Sequence, residues 1–399
     1  MKRLLALGVA TTLAAGLVTT SSSAQTPSGW VGTWAASPAT GVAGTENGYP
    51  NFSIRNLVHT SIGGATVRVR LSNAFGTKPL LFGRVTVAVA AEPNSPRAVV
   101  GSMRNLTFGT SPTVTVPPGA EVLSDAAPLR VPEDGDLLVT TYVPTPSGPV
   151  TYHPAALQTS FFTRAGDFAA EESGTSYNER TNVWHYVSGV DVQGTPATGS
   201  VVTLGDSITD GVGSTAGTNR RWPDVLADRL IAGQRRLGVL NAGISGNRLL
   251  LDGTTFGRNA LARLDDDVLS LGGVRTLIVF EGINDIQQNP HQTDPRQLIS
   301  AYRQIIAQAK ARGIRVLGAT LTPFKGWQVY DEQLEATRQA VNTFIRTGGA
   351  FDGVIDFDAA IRDPQDPLRM RPEYDTGDHL HPGDAGLRAM AEAVPLALL

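Results

Sequence analysis

The first half of the chain alternates apolar and polar residues at the period of β-strands. The runs Thr66–Ser72, Val85–Val89 and Thr113–Val116 each place every second side chain on one face, whereas Leu137–Val143 is more continuously apolar. Turn-forming Gly, Pro and Asp residues separate these runs, and no helical period of comparable strength occurs. The pattern predicts an antiparallel, jelly-roll-like β-sandwich over residues 25–193.

The hydrophobic period changes after residues 194–200, a stretch rich in Gly, Thr, Pro and Ser that we interpret as a linker. From residue 201 to residue 399, strands alternate with helices. The predicted strands are Val201–Leu204, Leu237–Asn241, Thr276–Phe280, Ile314–Ala319 and Val354–Phe357, and the predicted helices run from about Trp222 to Ala232, Pro295 to Arg312, Glu332 to Arg346 and Gly383 to Ala397. Strands that are apolar on both faces and alternate with helices predict a three-layer α/β/α domain with a parallel sheet.

The first 24 residues have the pattern of a signal peptide. Lys2 and Arg3 precede the apolar run Leu4–Val18, and small residues follow as far as Ala24. The apolar run is shorter than the roughly 20 residues that a membrane-spanning helix needs. The sequence therefore predicts a secreted protein that is cleaved near Ala24 and has no stable membrane anchor.

The net charge and the cysteine content exclude several classes of function. The formal net charge is -3 and no basic stripe occurs, so a nucleic-acid partner is not expected. The chain contains no cysteine, which excludes thiol nucleophiles, cysteine-ligated metals and redox motifs. At 399 residues the chain suits two domains better than one.

A serine follows directly after the first strand of the predicted parallel sheet. Ser207 lies in Gly205-Asp206-Ser207-Ile208, where its hydroxyl would project at the carboxyl end of the strand, the edge at which such sheets bind ligands. The same tripeptide also suits an ordinary loop that opens a helix. A serine nucleophile needs a base that a third group orients, so the rest of the chain has to supply both.

The chain has six histidines, and two of them lie after the fifth predicted strand in Asp378-His379-Leu380-His381. Asp378 stands three residues before His381, a spacing at which its carboxylate can reach Nδ1 and leave Nε2 free for Ser207. His379 is adjacent to Asp378 and would make that contact less easily. The alternative is a structural histidine and an aspartate that caps the last helix.

Donors for a developing oxyanion follow the second and third predicted strands. Gly246, in Asn241-Ala242-Gly243-Ile244-Ser245-Gly246-Asn247, can present a backbone N–H, and Asn284, in Gly282-Ile283-Asn284-Asp285, can present a side-chain amide. Each motif alone also suits a turn. Together with the serine and histidine segments, they place four polar segments at the same edge of one sheet.

These four ordered segments resemble the block pattern of the GDSL/SGNH hydrolases over about residues 200–399. The resemblance implies a flavodoxin-like fold without metal or cofactor. It also implies that Ser207 is the nucleophile, His381 the base and Asp378 its orienting partner. The N–H of Ser207 would then form the oxyanion hole with Gly246 and Asn284. The family's Asn-x-x-x-x-Gly spacing selects Gly246 over Gly243. The front half resembles the β-rich region of secreted bacterial members.

The expected function is ester hydrolysis through an acyl-enzyme, on short-chain or carbohydrate-borne acyl groups. Alternatives are a lipase or phospholipase with the same mechanism, and a glycan-binding protein with an inactive hydrolase domain that uses aromatics such as Trp184 and Tyr186. Phe324, Trp327 and Tyr330 could line an acyl or sugar pocket or simply pack their loop. A nucleotide site is disfavoured, because the glycine-rich segment 211–216 begins too long after its strand.

Overall fold

The structure is a computed structural model that describes residues 29–164 and 166–399. The predicted signal peptide lies outside the described residues. Within them, no helix is long and apolar enough to cross a membrane.

The amino-terminal part consists of two antiparallel sheets and two small ribbons. Its strands are β1 Val31–Ala35, β2 Thr40–Gly41, β3 Phe52–Thr60, β4 Gly64–Ser72, β5 Leu80–Phe82, β6 Arg84–Val89, β7 Arg104–Asn105, β8 Val114–Val116, β9 Glu121–Leu123, β10 Ala127–Val131, β11 Gly135–Val143, β12 Thr151–His153, β13 Ser160–Thr163, β14 Glu179–Thr181, β15 Trp184–His185 and β16 Val187–Gln193. One sheet has the order β1-β16-β4-β10, with β9 also paired to β4, and the other has the order β14-β13-β3-β11-β6-β7. The ribbons are β15-β12-β2 and β5-β8.

Alternate residues of both large sheets meet in one core, as in a β-sandwich. The sequence of strand β11 is apolar throughout because both of its faces are buried. Leu137 and Val139 face this core, while Leu138 belongs to a second cluster on the outer face. Trp184 and Tyr186 are only 3% and 1% exposed and belong to the main core. They therefore offer no glycan-binding surface, contrary to the role considered for them from sequence.

The carboxy-terminal part contains a five-stranded parallel sheet. Its strands are β17 Gly199–Gly205, β18 Leu237–Gly243, β19 Val274–Phe280, β20 Arg315–Ala319 and β21 Gly353–Ile355. Their order is β18-β17-β19-β20-β21, with every neighbouring pair parallel. This is the flavodoxin-like order, in which the first strand lies between the second and the third. The expected fold class is confirmed.

Helices cover this sheet. They are α1 Ser207–Asp210, α2 Trp222–Ala232, α3 Ala260–Leu264, α4 Ile283–Gln287, α5 Pro295–Ala311, α6 Glu332–Thr347, α7 Phe357–Ile361 and α8 Asp384–Ala393, with a π-helical turn Asp265–Leu269 after α3 and a 3-10 turn Leu396–Leu398 after α8. Several predicted bounds differ from the observed ones, and two of these differences have a local cause. The fifth strand ends at Ile355, because the Asp356 side chain accepts a hydrogen bond from the Ala359 N–H and starts α7. The last helix ends at Ala393, two residues before Pro395.

The two parts share a buried contact along the edge strand β18. The Ser61 hydroxyl and the Val239 N–H are 2.9 Å apart, and the Gly32 N–H donates to the Gly272 carbonyl at 2.9 Å. Gly238 makes the approach possible, since a Cβ there would lie 2.0 Å from the Gly32 carbonyl oxygen. The sandwich therefore packs directly against the sheet that carries Ser207.

Candidate active site

Ser207 lies at the turn between β17 and α1. The Asp206 carboxylate accepts a hydrogen bond from the Ile208 N–H at 3.0 Å and so caps the short helix. A side chain at Gly205 would come within 2.6 Å of the Phe280 carbonyl oxygen, so only glycine lets the chain turn this close to β19. The turn places Ser207 at the carboxyl edge of the sheet, as its sequence position predicts.

Ser207, His381 and Asp378 form one hydrogen-bonded chain. The Ser207 Oγ lies 2.8 Å from His381 Nε2, and His381 Nδ1 lies 2.6 Å from Asp378 Oδ2. The other oxygen of Asp378 accepts hydrogen bonds from the Leu380 and His381 N–H groups, both at 2.8 Å. A carboxylate on Nδ1 holds the proton there and leaves Nε2 as an acceptor for the serine proton.

Electrostatics favour the ionised form of Asp378. Burial by itself would raise the pKa of Asp378, but the hydrogen bonds from the His381 N–H, the His381 ring and the Leu380 N–H outweigh burial and lower it. The carboxylate is therefore available to stabilise a positive charge on His381 when this ring takes a proton.

His379 makes a parallel contact of its own. Its Nδ1 lies 2.6 Å from Asp375 Oδ2, and the second oxygen of Asp375 accepts from the His379 N–H. The two histidines thus have similar carboxylate partners, yet only His381 reaches Ser207. The spacing argument that selected His381 over His379 agrees with this geometry.

Gly246 and Asn284 follow the strands on either side of β17. Gly246 lies in the turn after β18 with a φ of +79°, and the ring of Phe256 covers its Cα. Asn284 lies in α4, directly after β19. The structure thus joins Ser207, His381 and Asp378 by direct hydrogen bonds and places the two other predicted site residues in the loops that flank them.

The Asn284 side chain is fixed by polar neighbours that the sequence did not single out. Its Nδ2 donates to the Asn247 carbonyl at 2.9 Å, and its Oδ1 accepts from Gln287 Nε2 at 2.7 Å. Gln287 Oε1 in turn accepts from Trp327 Nε1 at 2.9 Å. These bonds fix the amide orientation and leave one N–H of Asn284 for another acceptor. The sequence signal for this contact is the three-residue spacing of Asn284 and Gln287, which brings two side chains together on one face of a helix.

The aromatics after β20 separate into two roles. Trp327 stands edge-on to the His381 ring with 6.4 Å between the ring centroids, so it borders the site. Phe324 is fully buried, and its ring centroid lies 5.1 Å from that of Tyr330. These two residues therefore pack against each other inside the loop. Of the three aromatics considered for an acyl or sugar pocket, only Trp327 contacts the site in this way.

Buried carboxyl groups lie beneath the serine turn. Burial, reinforced by the charges of Asp285 and Asp210, raises the pKa of Asp206 to about 7. Burial also raises the pKa of Asp285 to about 6 against hydrogen bonds from the Leu249 and Leu250 N–H groups. Glu281 is fully buried, and burial together with the charge of Asp206 raises its pKa well above the ordinary range. Burial therefore disfavours the charged form of all three carboxyl groups.

We expect Asp206→Asn to reduce the loss of stability between about pH 5 and pH 8. At pH values between the ordinary pKa of an aspartate and about 7, Asp206 in the folded protein holds a proton that the unfolded chain has released. The stabilisation that this bound proton gives the folded state is therefore lost as the pH rises through this range. The loss amounts to roughly 2–3 kcal/mol between about pH 5 and pH 8. Asparagine keeps the oxygen that accepts from Ile208 and cannot ionise. Urea unfolding at both pH values measures the difference, and equal declines in the two proteins would contradict the shift.

A serine, a histidine and an aspartate hydrogen-bonded in this order form the catalytic constellation of serine hydrolases. Residues 203–389 match the model of the GDSL-like Lipase/Acylhydrolase family. This match confirms, over those residues, the resemblance drawn from the four sequence segments. A comparison with curated proteins finds no match.

Solved structures with similarity to the chain cover about half of it. A protein described as lipolytic and of the G-D-S-L family from Desulfitobacterium hafniense DCB-2 is 20% identical over 49% of this chain and 96% of its own, with a TM-score of 0.38. An acetyl xylan esterase, AlAXEase, is 22% identical over 49% and 96%, with a TM-score of 0.38. Est24, a carbohydrate acetylesterase from Sinorhizobium meliloti, is 18% identical over 49% and 95%, with a TM-score of 0.36.

Proposed function

We propose that the protein is a secreted serine esterase that cleaves carboxylic esters through an acyl-enzyme on Ser207. The observation that carries this proposal is the continuous hydrogen-bonded chain from the Ser207 Oγ through His381 to the ionised Asp378. The proposal includes secretion, for which the support is the sequence pattern of residues 1–24.

The geometry supports the following mechanism. His381 Nε2 takes the proton of the Ser207 hydroxyl as its oxygen attacks the ester carbonyl, and Asp378 stabilises the charged ring. The N–H groups of Ser207 and Gly246 and the free N–H of Asn284 donate to the oxyanion. His381 then protonates the leaving alcohol, and a water molecule repeats the cycle on the acyl-enzyme to release the acid and restore the serine.

The acyl group is proposed to be short or attached to a carbohydrate. Aromatic side chains border the site on two sides: Phe256, which is partly exposed, covers Gly246, and Trp327 faces His381. Aromatic rings are apolar surfaces against which a short acyl chain or a sugar ring can pack.

A substrate panel tests this choice of acyl group. Acetyl, butyryl and long-chain esters of one alcohol, acetylated xylan and a phospholipid should be compared by kcat/KM. We expect the acetyl and butyryl esters or acetylated xylan to be the best substrates. A preference for long chains or for the phospholipid would instead establish the lipase or phospholipase alternative.

Replacing Asn284 with alanine is expected to lower kcat by about 10²–10³-fold with a small change in KM, because the donor acts on charge that develops only in the transition state. Steady-state kinetics on an activated acetyl ester measure both constants. Asn284 also donates to the Asn247 carbonyl, so thermal unfolding has to be followed in parallel. Turnover near that of the wild type would rule out the oxyanion role.

A further inference from the structure

The sandwich domain contributes a histidine to a buried polar network that ends at the proposed oxyanion loop. We propose that His153 is a positioning residue, which acts through Asp210 to hold Ser245 and thereby the Gly246 N–H. This inference rests on the proposed function and extends it, because it makes the amino-terminal domain a part of the active site.

His153 bridges the two domains at the end of β12. Its Nδ1 lies 2.8 Å from the Ser37 carbonyl oxygen, and its Nε2 lies 2.9 Å from Asp210 Oδ1. The His153 and Asp210 side chains are only 3% and 4% exposed. The ring also lies 5.4 Å from that of Trp184, so packing fixes its plane. The contact is therefore a buried pair with a defined geometry.

The hydrogen-bond partners of His153 match a doubly protonated ring. The Ser37 carbonyl can only accept, so Nδ1 carries a hydrogen. Asp210 Oδ2 accepts two hydrogen bonds from Ser245, from its N–H at 2.8 Å and from its hydroxyl at 2.6 Å. We assign the second ring hydrogen to Nε2, from which it donates to Asp210 Oδ1. Consistently, burial lowers the pKa of His153, but Asp210 outweighs burial and the pKa is raised.

Asp210 connects this pair to both halves of the catalytic machinery. It is the last residue of α1, one turn after Ser207, and its N–H donates to the Asp206 carbonyl. Its carboxylate also holds the backbone and the hydroxyl of Ser245, the residue directly before Gly246. Removing His153 would leave a buried carboxylate without its counter-charge at the point where the serine turn and the oxyanion loop meet.

Other charged groups near this pair have partners of their own. His59, Asp224 and Arg221 line the same interdomain cavity. His59 contacts Asp136 and Asp134 of its own domain, and Arg221 pairs with Asp224. His59 is therefore a matched control: a histidine in the same cavity whose carboxylate partners are Asp134 and Asp136, whereas Ser245 bonds to Asp210.

The first test compares His153→Ala with His59→Ala. For His153→Ala we expect kcat on an acetyl ester to fall about 10–100-fold with KM changed less than about threefold, because one misplaced oxyanion donor affects the transition state. For His59→Ala we expect kcat within about twofold of the wild type. Adding Asp210→Asn to His153→Ala removes the unpaired charge, so the double variant should be at least as active as His153→Ala alone. Unchanged kcat in His153→Ala would overturn the proposal.

Two measurements do not depend on turnover. Hydrogen exchange of the Ser245 and Gly246 amides should be faster in His153→Ala and unchanged in His59→Ala, and equal exchange in both would overturn the proposal.

In wild-type protein with 15N-labelled histidine, both ring nitrogens of His153 should carry a hydrogen at neutral pH. A neutral ring would overturn the proposal even if the variants did not fold. If the wild type hydrolyses no ester while these signals are as expected, the proposed function fails and the positioning of the loop stands.

Discussion

Replacing Ser207 with alanine is expected to lower kcat for an activated acetyl ester by roughly 10⁶-fold, to the level of the uncatalysed reaction assisted by binding. The Ser207 Oγ is the oxygen that His381 Nε2 contacts at 2.8 Å, and the chain contains no cysteine that could replace it. Loss of this one oxygen removes the bond-forming atom and leaves the histidine and the aspartate in place. The measurement is steady-state turnover together with labelling by a serine-directed phosphonate, detected by intact mass.

Ser214→Ala is the matched control for this experiment. Ser214 lies in the segment after α1, seven positions beyond Ser207, and its N–H donates to the Gly211 carbonyl, a bond that alanine keeps. We expect this variant to be labelled and to turn over like the wild type. Continued labelling of Ser207→Ala would show that another residue is the nucleophile.

The parallel sheet was predictable because short sequence segments specify its strands and helices. Strands such as Thr276–Phe280 are apolar on both faces, and the helix Trp222–Ala232 was predicted with its observed bounds. The fold then predicts which segments lie at the carboxyl edge of the sheet. Segments that are far apart in sequence are therefore expected to be neighbours there. The error at the fifth strand arose because Phe357 continues the apolar pattern of Val354 and Ile355 beyond Asp356, whereas the Asp356 side chain caps a helix.

The triad geometry was predictable in part for the same reason. The three-residue spacing of Asp378 and His381 indicates a local contact, and the structure has it at 2.6 Å. The support around Asn284 was not predictable, because Trp327 reaches Gln287 from a loop forty residues away. The pair of His153 with Asp210 was not predictable either, since it joins the sandwich to the parallel sheet, whose packing no local pattern specifies. Long-range side-chain contacts of this kind need the three-dimensional arrangement.

Asp378→Asn is expected to lower kcat by about 10⁴-fold while the fold is retained. The asparagine oxygen can still accept from the Leu380 and His381 N–H groups, so the loop conformation is kept. The amide nitrogen then faces His381 Nδ1, and two donors cannot share one hydrogen bond. The ring is driven to the tautomer with its hydrogen on Nε2, which cannot take a proton from Ser207.

The second histidine of this segment provides the control. Asp375→Asn makes the same chemical change to the carboxylate that contacts His379 Nδ1 at 2.6 Å and the His379 N–H at 3.0 Å. We expect Asp375→Asn to keep kcat within about threefold of the wild type, since His379 does not contact Ser207 Oγ, whereas His381 does. Because the two substitutions alter charge and local hydrogen bonding alike, the ratio of their kcat values isolates the orientation of His381. Equal losses in the two variants would mean that the loop conformation, and not the tautomer of His381, controls the rate.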